Sequence, residues 1–199
     1  MLTTATKIGR WTGWSLAAFL SVAIALFSAR YLVRGPLLSP NVLANLFARP
    51  WLDLHVAGAV TALLVGSFQF LPALRERWPG GHRWNGRVYA VGCLAGGLGG
   101  LVLAFGSTAG PIATAGFGSL AVIWIFVTTM GWRAAMQRRF VEHRRWMIRS
   151  WALTLAAVTL RLYLLAPGMS SLDAYRAVSF LAWVPNLLIA EMYLRRRTA

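Results

Sequence analysis

The sequence predicts an all-α, polytopic transmembrane helix bundle of about six spans, with the N- and C-termini in the cytoplasm. Two observations lead to this fold class. Hydrophobic residues make up 58% of the 199 residues and charged residues only 13%, which is too apolar for an ordinary soluble domain of this length. The basic residues are also concentrated in alternate segments between apolar stretches, as expected when they orient spans in a membrane.

Six apolar stretches are long enough, or nearly so, to cross a bilayer. A spanning helix needs about 20 mostly apolar residues, because the hydrocarbon layer is about 30 Å thick and each helical residue rises about 1.5 Å. The first stretch is too long for a cleaved secretory signal, so we expect it to remain as a span. The predicted spans are Trp11–Val33, Leu52–Leu74, Val88–Ser107, Ile112–Trp132, Met147–Leu165 and Leu172–Tyr193.

The predicted spans differ in charge and in glycine content. The third and fourth carry no charged residue, whereas the fifth contains Arg149 and Arg161. The third has glycines in two overlapping patterns of small residues four apart, which let a neighbouring backbone approach closely. We therefore expect the third span to be central in the bundle. The short, uncharged link from Gly106 to Pro111 predicts a tight hairpin between the third and fourth spans.

The distribution of Lys and Arg predicts the topology, because these residues are enriched in short cytoplasmic loops. The five basic residues on the outer side are Arg30, Arg34, Arg49, Arg161 and Arg176. With the N-terminus inside, the other fifteen fall on the cytoplasmic side: Lys7, Arg10, Arg75, Arg77, Arg83, Arg87, Arg133, Arg138, Arg139, Arg144, Arg145, Arg149, Arg195, Arg196 and Arg197. We therefore expect a multi-pass protein of the cytoplasmic membrane.

The formal net charge of +15 would suit nucleic acid or an anionic surface. Because the basic residues flank apolar spans, the expected partners are the lipid bilayer and its anionic headgroups, and nucleic acid is not expected. Cys93 is the only cysteine, so the chain has neither an internal disulfide nor a CxxC motif. The residues also offer no phosphate-binding loop and no set of nucleophile, base and carboxylate, which disfavours hydrolase chemistry.

Two histidines are expected at the cytoplasmic face: His82 in the loop before the third span and His143 at the start of the fifth. Two neutral imidazoles from different helices can ligate a haem iron, and nearby arginines can pair with the haem propionates. This pattern gives a hypothetical haem b site of His82, His143, Arg83, Arg87 and Arg149. The alternatives are a quinone or lipid headgroup bound at the same arginines, and a structural role for the histidines.

Polar groups at membrane depth are costly unless they are paired, so each is a candidate for a role. On the outer side we expect an ion pair between Asp53 and Arg161, and on the inner side one between Glu191 and Arg149, both as structural clamps. A zinc site is not expected, because the histidines are divided between the two faces. The further polar candidates are Asp53, His55, Gln69, Arg161 and Glu191, and Gln69 is expected to hydrogen-bond across helices on roughly the same face as His55.

Several segments carry a resemblance to a known family, among them GSFQF at 66–70, HRWNGRVY at 82–89, HRRWMIRS at 143–150 and TLRL at 159–162. They resemble the predicted bacterial membrane proteins called domain of unknown function 2306. The resemblance implies a helical membrane fold and no particular activity. A more distant similarity to small helical proteins that hold b-type haem or help to assemble respiratory oxidases rests on histidines in a four-helix core. The polar signature that the family resemblance implies is His55, Gln69, His82, Arg83, Arg87, His143, Arg149 and Arg161.

We expect residues 1–199 to form a single membrane domain, in which a first span at about 11–33 is added to a family-like core at about 52–194. The first functional hypothesis is a haem-binding or redox-associated protein that uses the inner-face histidines. The second is a non-catalytic component that binds lipid, another membrane protein or a second copy of the chain through its basic loops. A small-solute transporter is the third, and no residue set indicates an enzyme.

Overall fold

The computed structural model describes residues 4–33, 42, 44–168 and 171–196, and within them every regular element is a helix. Six segments are long and apolar enough to cross a membrane, and we number them as spans 1 to 6: Thr12–Leu32, Ala48–Phe70, Pro79–Phe105, Pro111–Met136, Phe140–Leu165 and Leu172–Arg195. The predicted all-α, six-span bundle is confirmed. The cytoplasmic position of the termini stays a prediction, and the predicted outer residue Arg34 lies outside the described residues.

The helix bounds show which spans are continuous. Spans 3 and 4 are single helices, whereas spans 5 and 6 are each divided into two helices and spans 1 and 2 each finish in a 3₁₀ turn. In chain order the elements are Thr4–Ala29, the 3₁₀ turn Arg30–Leu32, Ala48–Gly66, the 3₁₀ turn Ser67–Phe70, Pro72–Arg77, Pro79–Phe105, Pro111–Met136, Phe140–Thr154, Ala156–Leu165, Leu172–Leu181 and Val184–Arg195.

Prolines determine where several helices begin. Pro72, Pro79 and Pro111 each lie in the first turn of a helix, where the missing N–H is not needed for a helical hydrogen bond. Pro185 lies in the first turn of the second helix of span 6 and accounts for the division of that span. Span 2 ends at Phe70 rather than at the predicted Leu74, because the residue before Pro72 is held in an extended conformation.

The two ends of the bundle differ in charge. Successive spans run in opposite directions, so spans 1, 3 and 5 begin at the end where spans 2, 4 and 6 finish. We call this the arginine-rich end, because most of the arginines fall there, including exposed Arg77, Arg83, Arg138 and Arg145. The other end is called the opposite end.

Spans 3 and 5 extend further toward the arginine-rich end than predicted. Their helices begin at Pro79 rather than Val88 and at Phe140 rather than Met147. The predicted starts were wrong because hydropathy marks the edge of the hydrocarbon layer, whereas a helix can continue into the interface, where charged side chains are solvated. His82 is therefore in the first turn of span 3 and not in a loop.

Span 3 lies at the centre of the bundle, as its glycines predict. A Cβ atom added at Gly58 of span 2 would lie 2.5 Å from the carbonyl oxygen of Gly92 and 2.8 Å from the Cα of Gly96. Nearer the opposite end, a Cβ at Gly99 would lie 2.7 Å from the backbone nitrogen of His55. Spans 2 and 3 thus pack backbone to backbone, which only glycine permits at these positions.

A cluster of hydroxyl groups crosses the interior of the bundle. The Tyr89 hydroxyl on span 3 lies 2.9 Å from Ser150 Oγ and 2.8 Å from Thr154 Oγ1, both on span 5. Thr128 Oγ1 on span 4 lies 2.7 Å from Ser150 Oγ, and Trp124 Nε1 donates to Thr154 Oγ1 at 3.1 Å. Tyr89, Thr128, Ser150 and Thr154, which we call the hydroxyl cluster, are all buried and all have partners, so together they fix the relative heights of spans 3, 4 and 5.

Candidate functional site

The hydroxyl cluster determines where the two inner-face histidines lie. His82 is seven residues before Tyr89 on span 3, and His143 is seven residues before Ser150 on span 5. Seven residues are close to two helical turns, or about 10.5 Å, so each histidine lies on the same face of its helix as its partner in the cluster. Spans 3 and 5 run in the same direction, so this spacing places His82 and His143 at a similar level near the arginine-rich end. They are close enough for their charges to interact.

Hydrogen bonds orient the two imidazole rings differently. His143 Nδ1 lies 2.9 Å from the carbonyl oxygen of Gly131. Because a carbonyl can only accept, Nδ1 carries the proton, and Nε2 is left with a lone pair for a metal or a donor. His82 Nδ1 is buried and has no hydrogen-bond partner within the described residues. The pair therefore presents two nitrogen atoms that the chain itself does not use.

The arginines around these histidines fall into two groups. Arg83 and Arg87 are exposed, and the Arg87 guanidinium lies over the Trp84 ring at 5.1 Å. Arg149 is different, because its Nε and Nη2 donate to the two carboxylate oxygens of Glu191 at 2.5 and 3.0 Å. The predicted Arg149–Glu191 ion pair is confirmed, and Arg149 is thereby less available to an external anion than Arg83 and Arg87.

At the opposite end, the ion pair that the structure shows differs from the predicted one. Asp53 forms its ion pair with Arg49, at 2.5 Å, so the predicted pair between Asp53 and Arg161 is wrong. The reason is that Arg49, whose backbone is extended at a kink just before Pro50, lies four residues before Asp53 and reaches its carboxylate from the start of span 2. His55 Nδ1 donates to the carbonyl oxygen of Gly96 at 2.8 Å, which ties the ring to span 3.

Gln69 makes the cross-helix contact expected of it. Its Nε2 donates to the backbone carbonyl of His82 at 3.4 Å. Like His55, it faces span 3, as predicted from their spacing. Gln69 thus supports the first turn of span 3 beside the histidine pair, at the arginine-rich end. His55 lies at the opposite end.

Three contributors to this site were not predicted from the sequence. Gly131 accepts from His143, the hydroxyl cluster sets the height of both histidines, and Arg75 is close enough to His82 for their charges to interact. The equal spacing of seven residues from each histidine to a hydroxyl residue, Tyr89 or Ser150, is the signal that could have paired the histidines. The hydrogen bond to Gly131 could not be predicted, because every residue has a backbone carbonyl.

Two cavities lie away from the histidine pair. One, of about 420 Å³, opens between spans 3 and 4 near Phe105 and Val122, and one of about 210 Å³ opens among spans 1, 5 and 6 near Leu16 and Asn186. Neither is lined by a histidine. In the described part of the chain no group of three or more His, Cys, Asp and Glu side chains could hold a metal ion. A ligand of the histidine pair would therefore meet two protein nitrogens, at the arginine-rich end.

Comparison with known proteins identifies a family for most of the chain. A family model described as predicted membrane protein (DUF2306) matches residues 52–194. The match begins within span 2 and continues to the end of span 6, so it includes the histidine pair and the hydroxyl cluster. No curated protein and no solved structure matches the chain.

Proposed function

We propose that this chain, which belongs to the DUF2306 family of predicted membrane proteins, is a haem-binding redox protein of the bacterial cytoplasmic membrane, in which His82 and His143 would hold the haem iron. The observation that carries the proposal is the position of the two imidazoles, which come from separate spans and lie at a similar level. They lie two turns below the bond between Tyr89 and Ser150.

The donor set favours haem over a free metal ion. Two imidazole nitrogens without a third protein ligand do not complete the coordination sphere of zinc, which needs three or four. A macrocycle supplies four nitrogens of its own and needs only the two axial ones. The hydrogen bond that orients His143 is typical of such ligands, whose second ring nitrogen is usually fixed by an acceptor. Within the described residues, the Nδ1 of His82 has no such acceptor.

The chain's own residues would have separate roles in this site. Gly131 holds the tautomer of His143, and Gln69 supports the backbone of His82. Exposed Arg83 and Arg87 would pair with propionates at the aqueous edge, whereas Arg149 clamps span 5 to span 6 through Glu191. Bound haem supplies one-electron redox chemistry.

The cytoplasmic orientation rests on the arginines. Of the 18 basic residues that the structure describes, 14 belong to segments at the arginine-rich end, and short loops rich in Lys and Arg remain in the cytoplasm. With this orientation the histidine pair is accessible from the cytoplasm.

An absorption spectrum of the purified protein tests the proposal. After expression with ample haem, the detergent-solubilised wild type should show a Soret band that shifts on reduction. His82→Ala and His143→Ala should each reduce haem content at least about tenfold, since each removes an axial ligand. His55→Gln is the matched control, because His55 is bound to Gly96 at the opposite end, and it should keep the band. Absence of the band from the wild type, or its survival in the double variant, would contradict the proposal.

A second candidate function is supported by the exposed surface of the arginine-rich end. Trp78 and Trp84 are 66% and 65% exposed beside exposed arginines, a composition typical of surfaces that bind anionic headgroups or acidic partners. The test is a variant in which glutamine replaces Arg138, Arg139, Arg144 and Arg145. We expect it to lose any stoichiometric partner or anionic lipid that copurifies with the wild type. If the same partner or lipid copurified equally with this variant, and neither the variant nor the wild type contained haem, the result would count against this function.

A further inference from the structure

The side-chain carboxylates of this chain are all committed to ion pairs. There are five acidic residues in the sequence, and all five lie in the described part of the structure. The pairs, each with a different arginine, are Asp53–Arg49, Glu76–Arg75, Glu142–Arg139, Asp173–Arg176 and Glu191–Arg149. Any other arginine held within the bundle therefore has no side-chain carboxylate to neutralise it.

Two such arginines meet at the opposite end. Arg30 closes span 1, and Arg161 lies about one turn before the end of span 5. Each is partly buried, and spans 1 and 5 pack together just before them, where Ala25 and Val158 belong to one buried cluster. The two arginines thus lie at the same end of two packed spans, close enough for their charges to interact. Tyr31 and Tyr175 lie within the same range of Arg161, so the group gathers side chains from spans 1, 5 and 6.

The hydrogen-bonding capacity of both guanidinium groups is largely unused by the described residues. Arg161 Nη1 donates to the carbonyl oxygen of Ala157 at 3.1 Å, which is its one side-chain hydrogen bond there. Arg30 Nε is buried without a partner, and its guanidinium lies 3.6 Å from the centre of the Phe27 ring. A guanidinium has five N–H donors in a planar fork, so the two groups together leave many donors for an acceptor from outside the chain.

The like charges make this arrangement unfavourable without an anion. Two cations at membrane depth repel each other and lose solvation, and no carboxylate offsets either cost. His55 is also near Arg161, but its Nδ1 donates to Gly96, so a neutral ring rather than a negative charge is present. An oxyanion between the guanidinium groups would satisfy both, because carboxylate and phosphate oxygens match the arginine fork.

We propose that Arg30 and Arg161, with the Tyr175 hydroxyl beside them, form a binding site for a phosphate or carboxylate group at the opposite end of the bundle. The group belongs either to an anionic lipid headgroup or to a soluble oxyanion, since both present the same oxygens. The site is separate from the histidine pair and does not depend on haem binding. It requires span 1, which lies before the matched residues 52–194, so members of the family without an equivalent span would lack half of it.

The thermal stability of the full-length protein in lipid nanodiscs tests this site. In discs of phosphatidylcholine alone, inorganic phosphate and acetate are titrated as soluble probes. In a second series, phosphatidylglycerol replaces part of the lipid. At a saturating concentration, a ligand that binds only the folded protein should raise the melting temperature by about 5 °C. Arg30→Gln and Arg161→Gln should each raise the ligand concentration needed for half of that rise in melting temperature at least about tenfold.

The controls separate this site from a general charge effect. Arg176→Gln makes the same charge change at the same end, but Arg176 is committed to Asp173 and to the carbonyl of Ala109, so the ligand response should persist. In ligand-free discs Arg161→Gln should fold and melt at or above the wild-type temperature, because it removes an unpaired cation. A response to soluble probes supports an oxyanion from solution, and a response to phosphatidylglycerol alone supports a headgroup. No response in either series, or one that all three variants share, would overturn the site.

Discussion

Gly58→Ala is expected to lower the free energy of unfolding by about 3 kcal/mol or more, although it adds one methyl group to a helix. The new Cβ would lie against the backbone of Gly92 and Gly96, which cannot rotate away as a side chain could. Spans 2 and 3 would have to separate, and the separation would also strain the bond between His55 and Gly96. In a chain of this size the change corresponds to a fall of about 6–12 °C in melting temperature.

Chemical denaturation of the detergent-solubilised protein, followed by tryptophan fluorescence, measures this effect. Gly13→Ala is the control, since nothing lies within 4 Å of the position of its Cβ. That substitution should change stability by no more than about 1 kcal/mol, in the stabilising direction expected of alanine in a helix. Equal stability of the Gly58 and Gly13 variants would show that spans 2 and 3 are not in backbone contact.

Glu191→Ala is expected to destabilise the protein by about 2–3 kcal/mol. The substitution leaves the Arg149 guanidinium, whose side chain is only 17% exposed, with a desolvated charge and no carboxylate. Replacing both partners by apolar residues, as in Arg149→Met with Glu191→Leu, should restore much of the loss, because the unpaired charge is then absent. The same denaturation assay measures all three proteins.

An exposed ion pair provides the comparison for this prediction. Arg139 and Glu142 are paired, but their side chains are 48% and 47% exposed. Glu142→Ala should therefore cost at most about 1 kcal/mol, as is usual for pairs in water. If the Glu191 and Glu142 variants were equally stable, the pair between spans 5 and 6 would be no more than a surface contact.

The fold could be predicted from sequence because hydropathy and charge respond to the membrane itself. Apolar length gave the six spans, and the glycines of the third predicted its central position. Helix ends were less predictable. Pro72 ended span 2 within an apolar stretch, and the helix of span 3 continued through polar and charged residues to Pro79, so in neither case did the helix end coincide with a change in hydropathy.

The candidate site was predictable in residue type and only partly in pairing. Glu191 was matched correctly with Arg149, because both lie near the inner ends of their spans. Asp53 was matched wrongly, because a local partner, Arg49, lies at the kinked start of span 2, four residues before it. Contacts between spans depend on how each helix is rotated about its own axis. A single sequence does not give these rotations unless two spacings coincide, as they do for the histidines.

The hydroxyl cluster also limits how the molecule can move. Its bonds join three spans at a level nearer the arginine-rich end than the opposite end, so those spans cannot slide past one another along the membrane normal without breaking several bonds at once. Tilting about that level is less constrained, because the bonds lie near the pivot and only the two ends swing. Conformational change in this protein should therefore separate the spans more at the opposite end than at the level of the cluster, which stays closed.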